Sequence, residues 1–355
     1  MINKLFRLTA KILGKPIDHQ KYMHKGVVLC PAEEQLSPPA IYIDSHLNRI
    51  KGIPATSSKE REYCYLHQRT AKHSPTILYS IGSSILFRGG LWTGKREVML
   101  RRLNEGDSRY KFDLKQAVLT DSDIANQYFG HWVHDVMPAS LIGTAEMPSL
   151  AFKKPHYPHA VDYHHLLDLN TIYGNQGEVR NLYLLSDFSQ NSHKIKRYLE
   201  IRKRIKEKLN PVDSDYQGIY IARGTTGVKR MLSNEQVLIE HLVKRGFDIV
   251  YPEQMSVEML IRKLWNVPLV ISVEGSALAH AIYSIALNGA YLVLQPYFRV
   301  THIHKGICDA MNRPYGFYVC PPSNEVGSFV IDSMADLDSM IDRLHDESGN
   351  RNASN

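Results

Sequence analysis

Across residues 218–296, short apolar runs alternate with longer stretches whose apolar side chains recur every three or four positions. The apolar run at 219–222 predicts a strand. Ser233, with Gln236 three positions on, carries a capping-box signature for the next helix, and Gly246 stops it. Residues 247–251 read as a strand closed by Pro252, and Ser256 opens a second helix reaching about Asn266. Residues 269–273 are rich in β-branched side chains and predict a third strand. Gly275 and Ser276 then open a third helix, and residues 291–294 supply a fourth strand. The order β-α-β-α-β-α-β with short connections predicts a parallel sheet covered by helices on both faces, a Rossmann-like half.

The first half is less regular. Strands are predicted at residues 27–29, 41–43, 77–80, 117–119 and 182–185, with a helix at 124–136 that ends before Pro138. Residues 194–209 predict a long basic helix ended by Asn210 and Pro211, and the polar residues 212–217 link two domains. The expected organisation is an amphipathic helix over residues 1–20, an α/β domain over 21–212, a Rossmann-like domain over 213–347 and a frayed polar tail over 348–355. Within residues 1–16, Ile2, Leu5, Phe6, Leu8, Ile12 and Leu13 share one helical face, and Lys4, Arg7, Lys11 and Lys15 share the other. Such a helix lies on an anionic membrane surface or docks on the protein's own core. Its apolar run is too short for a secretory signal. Residues 275–295 hold no Asp, Glu, Lys or Arg, but His280 and the Asn288-Gly289 pair interrupt them. They predict a buried helix and strand rather than a membrane span.

Charge narrows the partners. Of 355 residues, 43 are Lys or Arg and 36 are Asp or Glu, a net +7 that favours an anionic partner. The basic stretch 194–208 also carries apolar side chains at helical spacing and no nucleic-acid-binding signature. It predicts a solvated amphipathic helix, and nucleic acid is not an expected partner. The four cysteines, Cys30, Cys64, Cys308 and Cys320, form no CxxC pair, which points to a reducing, cytoplasmic compartment.

Two clusters carry candidate chemistry. Ligands of open α/β sheets bind beyond the carboxyl ends of the strands. Arg223 directly follows one predicted strand, and Glu274, Gly275 and Ser276 follow another. Backbone N–H groups opening a helix favour an anion, Arg223 and Arg230 offer forks for phosphate oxygens, and Glu274 suits paired ribose hydroxyls. Together they fit a nucleoside diphosphate. In the second cluster, His131 and Asp135 lie four apart on one helical face with His134 beside them. A carboxylate in that place orients an imidazole for general-base work, or the pair is structural beside Trp132. The same spacing admits a CoA-dependent acyltransferase with His131 as base. A His/His/Asp metal site lacks a further ligand at recognisable spacing, so no metal is expected.

At these clusters the chain resembles glycosyltransferase family 61. Residues 126–138, with Asn126, His131, Trp132, Asp135 and Pro138, resemble the family's aromatic-rich first block. Arg223, Arg230, Asn234 and Glu235 resemble its second block, Gly246-Phe247 and Pro252-Glu253 a third, and Glu274-Gly275-Ser276-Ala277-Leu278 with His280 its last. The resemblance implies a GT-B-like α/β fold of two Rossmann-like domains facing a cleft, and an inverting reaction that needs no divalent metal or other cofactor. It implies a nucleotide-sugar donor, a UDP-sugar foremost, bound by the C-terminal domain. The acceptor is a hydroxyl of a growing, lipid-linked cell-surface glycan of capsule or lipopolysaccharide type. His131 is then the base, with Asp135 orienting it or acting as the base itself. Glu253 and the other block residues support the site. A non-catalytic nucleotide- or glycan-binding protein of the same fold is the alternative. The protein is expected in the cytoplasm, peripheral on the inner face of the membrane.

Overall fold

The computed structural model describes residues 15–16, 26–55, 57–67, 69–87, 90–93, 97–100, 111–174, 176–224, 230–325 and 327–353. These form two compact units, residues 1–33 with 73–201, and residues 34–72 with 202–355. The units part between residues 201 and 202, inside the basic helix, and the second also takes in segment 34–72, whereas the sequence suggests a cut near residue 213. The amphipathic pattern of residues 1–16 falls outside the described residues except for Lys15–Pro16, which pair as a strand with Glu97–Val98.

The second unit holds five parallel strands: β1 (Gly218–Ile221), β2 (Phe247–Val250), β3 (Leu269–Val273), β4 (Ala290–Pro296) and β5 (Tyr315–Cys320), in the spatial order β2-β1-β3-β4-β5. Every side chain of β1, β3, β4 and β5 is buried, which is why these strands read as continuous apolar runs. The period of two sorts them onto opposite faces. Tyr220, Ile271, Val273, Leu292 and Leu294 pack with Leu238, Leu242, Leu337, Met340 and Ile341. Ile219, Ile221, Val270, Tyr291 and Val293 pack with Leu260, Leu264, Leu278 and Ala281.

The chain enters this unit along α1 (Ser192–Leu209), and the unit's further helices are α2 (Glu235–Lys244), α3 (Val257–Leu264), α4 (Ile303–Ala310) and α5 (Met334–Ala353). In α3, Ser256 accepts a bond from the Met259 N–H as its cap. Val257, Leu260, Ile261 and Leu264 are buried along one stripe, each worth about 1.5–3 kcal/mol.

Several expectations change here. The capping box at Ser233 does not form. Its backbone N–H and hydroxyl both bond the Phe329 carbonyl, because residues 231–232 pair with 328–329, and Asn234 precedes the helix instead. Residues 276–281 form a six-residue 3-10 turn rather than an α-helix. Residues 41–43 are not a strand. Ile41 makes one bridge to Gly316 on the β5 edge and a 3-10 turn, Asp44–Arg49, follows. The tail does not fray before Ala353, since α5 continues through Ser348, whose hydroxyl bonds the Asn288 carbonyl.

Segment 34–72 belongs with this unit through specific bonds. Arg49 reaches Asp332 with both terminal nitrogens at 2.9 Å, and Glu62 accepts from the His302 N–H at 2.7 Å.

The first unit carries, among the described residues, a nine-stranded mixed sheet rather than a second Rossmann sheet. Its long strand Thr76–Phe87 runs antiparallel to Gly90–Thr93, as a two-residue connection requires, and antiparallel to Gln176–Ser186. Gln176–Ser186, Lys111–Leu119, Ser149–Ala151 and Thr171–Tyr173 then continue in parallel. No helix among the described residues is long and apolar enough to cross a membrane.

Candidate functional site

In the first unit, a helical segment begins at Phe129, passes through a π-turn at Trp132–Val136 and resumes at Met137–Ser140. The helix predicted to stop before Pro138 runs through it. A proline at this position leaves the carbonyl of His134 without its helical N–H partner. The buried Tyr198 hydroxyl donates to that carbonyl at 2.7 Å, and Arg197 donates to the Pro138 carbonyl at 3.2 Å. Both donors come from α1, so the packing of α1 makes the irregular backbone tenable.

The π-turn brings His131, His134 and Asp135 together. His131 Nδ1 lies 2.9 Å from Asp135 Oδ2, and His134 Nδ1 lies 3.3 Å from the same oxygen. The other carboxylate oxygen accepts from Lys194 Nζ at 2.8 Å, and that ammonium, fully buried, also bonds the Asp187 carbonyl. Burial pushes Asp135 upward, but Lys194, His134 and the two imidazole bonds outweigh it and hold the carboxyl well below its ordinary range. An ionised carboxylate only accepts, so Nδ1 of His131 carries a proton and donates it to Asp135, which leaves Nε2 as the ring's outer nitrogen. Burial pushes His134 down despite Asp135, keeping it neutral.

The ligand atoms of these three residues lie within 4.8 Å of one another. As a metal site the set fits poorly: Oδ1 already holds a buried ammonium, and the δ nitrogens face the carboxylate as donors. Asn126 stands apart in a structural role, its amide donating to Asp121 at 3.0 Å, and Trp132 is buried against Phe129.

In the second unit, the strand order is two-one-three-four-five, and the order reverses between β1 and β3. Ligand crevices form beyond the carboxyl ends of strands at such a reversal. Arg223 follows β1, Glu274 and Gly275 follow β3, and Arg299 follows β4. The Glu274 carbonyl accepts from Arg223 at 3.2 Å and also from Arg230. Its carboxylate Oε2 lies 2.6 Å from both Arg230 and Arg299. Two guanidinium groups thus hold the Glu274 carboxylate, and Arg223, on its carbonyl, lies within the field of Glu274, Glu235 and Glu253.

Glu274 is 5% exposed and its carboxylate is engaged inside the protein. It positions arginines, and the ribose contact expected of it does not fit. A Cβ at Gly275 would lie 2.6 Å from Arg223 Nη1 and 3.3 Å from Arg230 Nη1, so only glycine lets both guanidinium groups lie over this backbone. Glu235 accepts from the Tyr220 hydroxyl at 2.6 Å and from the Arg223 N–H at 3.3 Å, fixing the start of the arginine loop. Glu253 lies against Gly224 beside Arg223. Gly275 and Ser276 remain partly exposed. Asn234 is structural, bonded in both directions to Ile331, and His280 is buried in the 3-10 turn rather than at the site.

Sequence reasoning missed Lys194 and Arg299. Lys194 falls on the buried stripe of α1 that continues through Arg197, Tyr198, Ile201 and Ile205, a periodicity that was the available signal. Arg299 sits in a loop pinned from segment 34–72, where the Gly52 carbonyl accepts from the Val300 N–H at 2.9 Å.

The chain thus carries an arginine cluster at the switch point of a parallel α/β unit and, in its other unit, an ionised carboxylate against an imidazole. Residues 129–291 match the family model for glycosyltransferase 61, a family of sugar-transferring enzymes. The matched segment contains His131, Asp135, Lys194, Arg223, Arg230 and Glu274, and ends before Arg299. Curated proteins include no match to the chain.

Proposed function

We propose that the protein is an inverting, metal-independent glycosyltransferase. It moves a sugar from a nucleotide-sugar donor, a UDP-sugar foremost, to a hydroxyl of a cell-surface glycan of capsule or lipopolysaccharide type. The observation carrying the reading is the His131–Asp135–Lys194 chain, an imidazole whose outer nitrogen is left basic by a carboxylate locked in its charged state. In this reading His131 Nε2 takes the proton of the acceptor hydroxyl, whose oxygen bonds the anomeric carbon while the bond to the diphosphate breaks. The leaving diphosphate gains negative charge, which Arg223, Arg230 and Arg299 meet. Asp135 orients the base and is not the base, because a carboxyl held so far below its usual range is too weak to accept the proton.

The division of labour is GT-B-like, with donor binding assigned to the second unit and acceptor activation to the first. A cytoplasmic enzyme, held to the inner membrane face by the basic amphipathic residues 1–16, completes the reading.

Thermal shift against UDP, GDP, CDP, CMP, ADP and acetyl-CoA, with and without EDTA, tests it. A ligand at about 100 times its Kd adds roughly 2.7 kcal/mol. One nucleotide is expected to stabilise the protein regardless of EDTA. Arg223→Ala abolishes that shift, and His131→Ala keeps it while turnover is lost. A response to acetyl-CoA alone points to acyl transfer, and equal loss of nucleotide binding in both variants overturns the assignment.

A further inference from the structure

Residues 297–301, which follow β4 and carry Arg299, form a short loop tied at its base. The buried Gln295 amide donates to the Thr301 carbonyl and accepts from the Thr301 N–H at 3.3 Å, and the Arg299 N–H donates to the Pro296 carbonyl at 2.9 Å. Lys51 and Gly52 hold the loop from outside. Their N–H groups both donate to the Tyr297 carbonyl, at 2.8 and 3.2 Å, and the Gly52 carbonyl accepts from Val300. This exchange brackets Phe298 and Arg299. The approach is so close that a Cβ at Gly52 would run into the Phe298 carbonyl oxygen, so only glycine fits. The brace is itself anchored on both sides. Arg49 donates to the Val319 carbonyl at 3.0 Å and pairs with Asp332, and Glu62 accepts from the His302 N–H at 2.7 Å.

The arginine that this loop delivers is placed to meet a ligand. Arg230 is 9% exposed and bonds both the carbonyl and the carboxylate of Glu274. Arg299 gives one terminal nitrogen to Glu274 Oε2 at 2.6 Å, while 32% of its side chain stays open to solvent. A guanidinium carries five N–H donors, so that single bond leaves most of the Arg299 fork for another acceptor. Arg223, after β1 on the other side of β3, is also partly exposed.

We infer that Lys51 and Gly52 are positioning residues for Arg299, and that this brace sets the affinity of the second unit for a diphosphate. The inference rests on the glycosyltransferase reading, which makes these strand ends a diphosphate site. An arginine on a loose loop must lose backbone and side-chain freedom when it meets a phosphate, and that ordering weakens binding. Here the loop is ordered before any ligand arrives, and Glu274 holds one end of the fork. Displacing residues 297–300 carries the guanidinium off Glu274 and away from the crevice, while Arg223 and Arg230 keep their own bonds to the Glu274 carbonyl. Lys51 and Gly52 therefore act through Arg299 and need not touch the ligand.

Calorimetric titration of the full chain with UDP and with inorganic pyrophosphate tests the inference. Arg299→Ala should raise the Kd of both about tenfold to a hundredfold, the loss of a charge-assisted hydrogen bond. Gly52→Ala should raise both by a similar factor, and adding it to Arg299→Ala should change nothing further. A glycine with a merely structural role would lower the thermal midpoint and leave these affinities alone. Lys51→Pro removes one N–H from the Tyr297 carbonyl and suits the extended backbone at Ile50, so it carries the test if Gly52→Ala does not fold. Unchanged affinity in the brace variants, or losses that add to that of Arg299→Ala, overturns the inference. A wild type that binds pyrophosphate but not UDP overturns the transferase reading alone, and one that binds neither overturns both.

Discussion

Lys194 decides which member of the His131–Asp135 pair can take a proton. With its ammonium 2.8 Å away, the carboxyl stays ionised far into the acid range, so Asp135 accepts from His131 and leaves Nε2 available. Asp135→Asn turns an obligate acceptor into a group that can present its amide N–H to the imidazole, favouring the wrong tautomer. Turnover is expected to fall by about 10³–10⁴-fold with nucleotide affinity retained. Lys194→Met acts differently. A depressed carboxylate keeps its charge above its folded pKa and loses it as pH falls through that value, and removing the ammonium raises the value. The acid limb of kcat/KM should therefore move to higher pH in Lys194→Met, and coincident limbs would show that Lys194 does not set the charge. The His–Asp pair was legible because four residues on a helix is a local relation. Lys194 is 59 residues from Asp135, and only the docking of α1 brings them together.

At the scale of elements, the π-turn is the feature on which the pair depends. Its irregular backbone survives because Tyr198 supplies the donor that Pro138 lacks, with Gln190 accepting or sharing the hydroxyl at 3.0 Å. Tyr198→Phe keeps the packing and leaves the His134 carbonyl buried without a donor. Unfolding in urea should register a loss of about 1–3 kcal/mol, and turnover should fall because the turn aims His131. A variant of unchanged stability would mean that the carbonyl finds another donor. Four of the five strands of the second unit were legible, β1, β3 and β4 as continuous apolar runs buried on both faces and β2 as a run bounded by Gly246 and Pro252, whereas β5 was not predicted. Elements were misread where a contact distant in sequence overrode a local signal. Ser233 serves the ladder to residues 328–329 instead of capping α2, and Pro138 is carried through a helix by Tyr198. In the first unit, the pattern of short apolar runs says little about whether strands pair parallel or antiparallel. The two-residue link at 88–89 settles that for one pair.

At the scale of the whole molecule, the second unit is closed by a segment from early in the chain, and the closure predicts how the protein responds to acid. Glu62 accepts from the His302 N–H at 2.7 Å, tying segment 34–72 to the start of α4. The His302 ring is buried on Phe317, with Nδ1 3.2 Å from the Tyr315 hydroxyl. Burial, reinforced by the Lys305 charge, pushes its pKa down to about 3. In the unfolded chain a histidine titrates near 6.5, so between those values the unfolded state binds a proton that the folded state refuses. Stability then rises with pH across that window and is lost as pH falls below about 6.5. The contribution of this one ring amounts to roughly 2 kcal/mol between pH 7 and pH 5. His46 and His134, also buried and shifted downward, act in the same direction. His302→Phe keeps an aromatic ring against Phe317 but removes the titration. Its urea stability at pH 7 should be lower for want of the Tyr315 contact, and the gap to wild type should narrow or reverse by pH 5. Parallel pH dependence in the two proteins would place the acid sensitivity elsewhere. It would also mean that the ring is reached by protons without opening the unit that segment 34–72 closes.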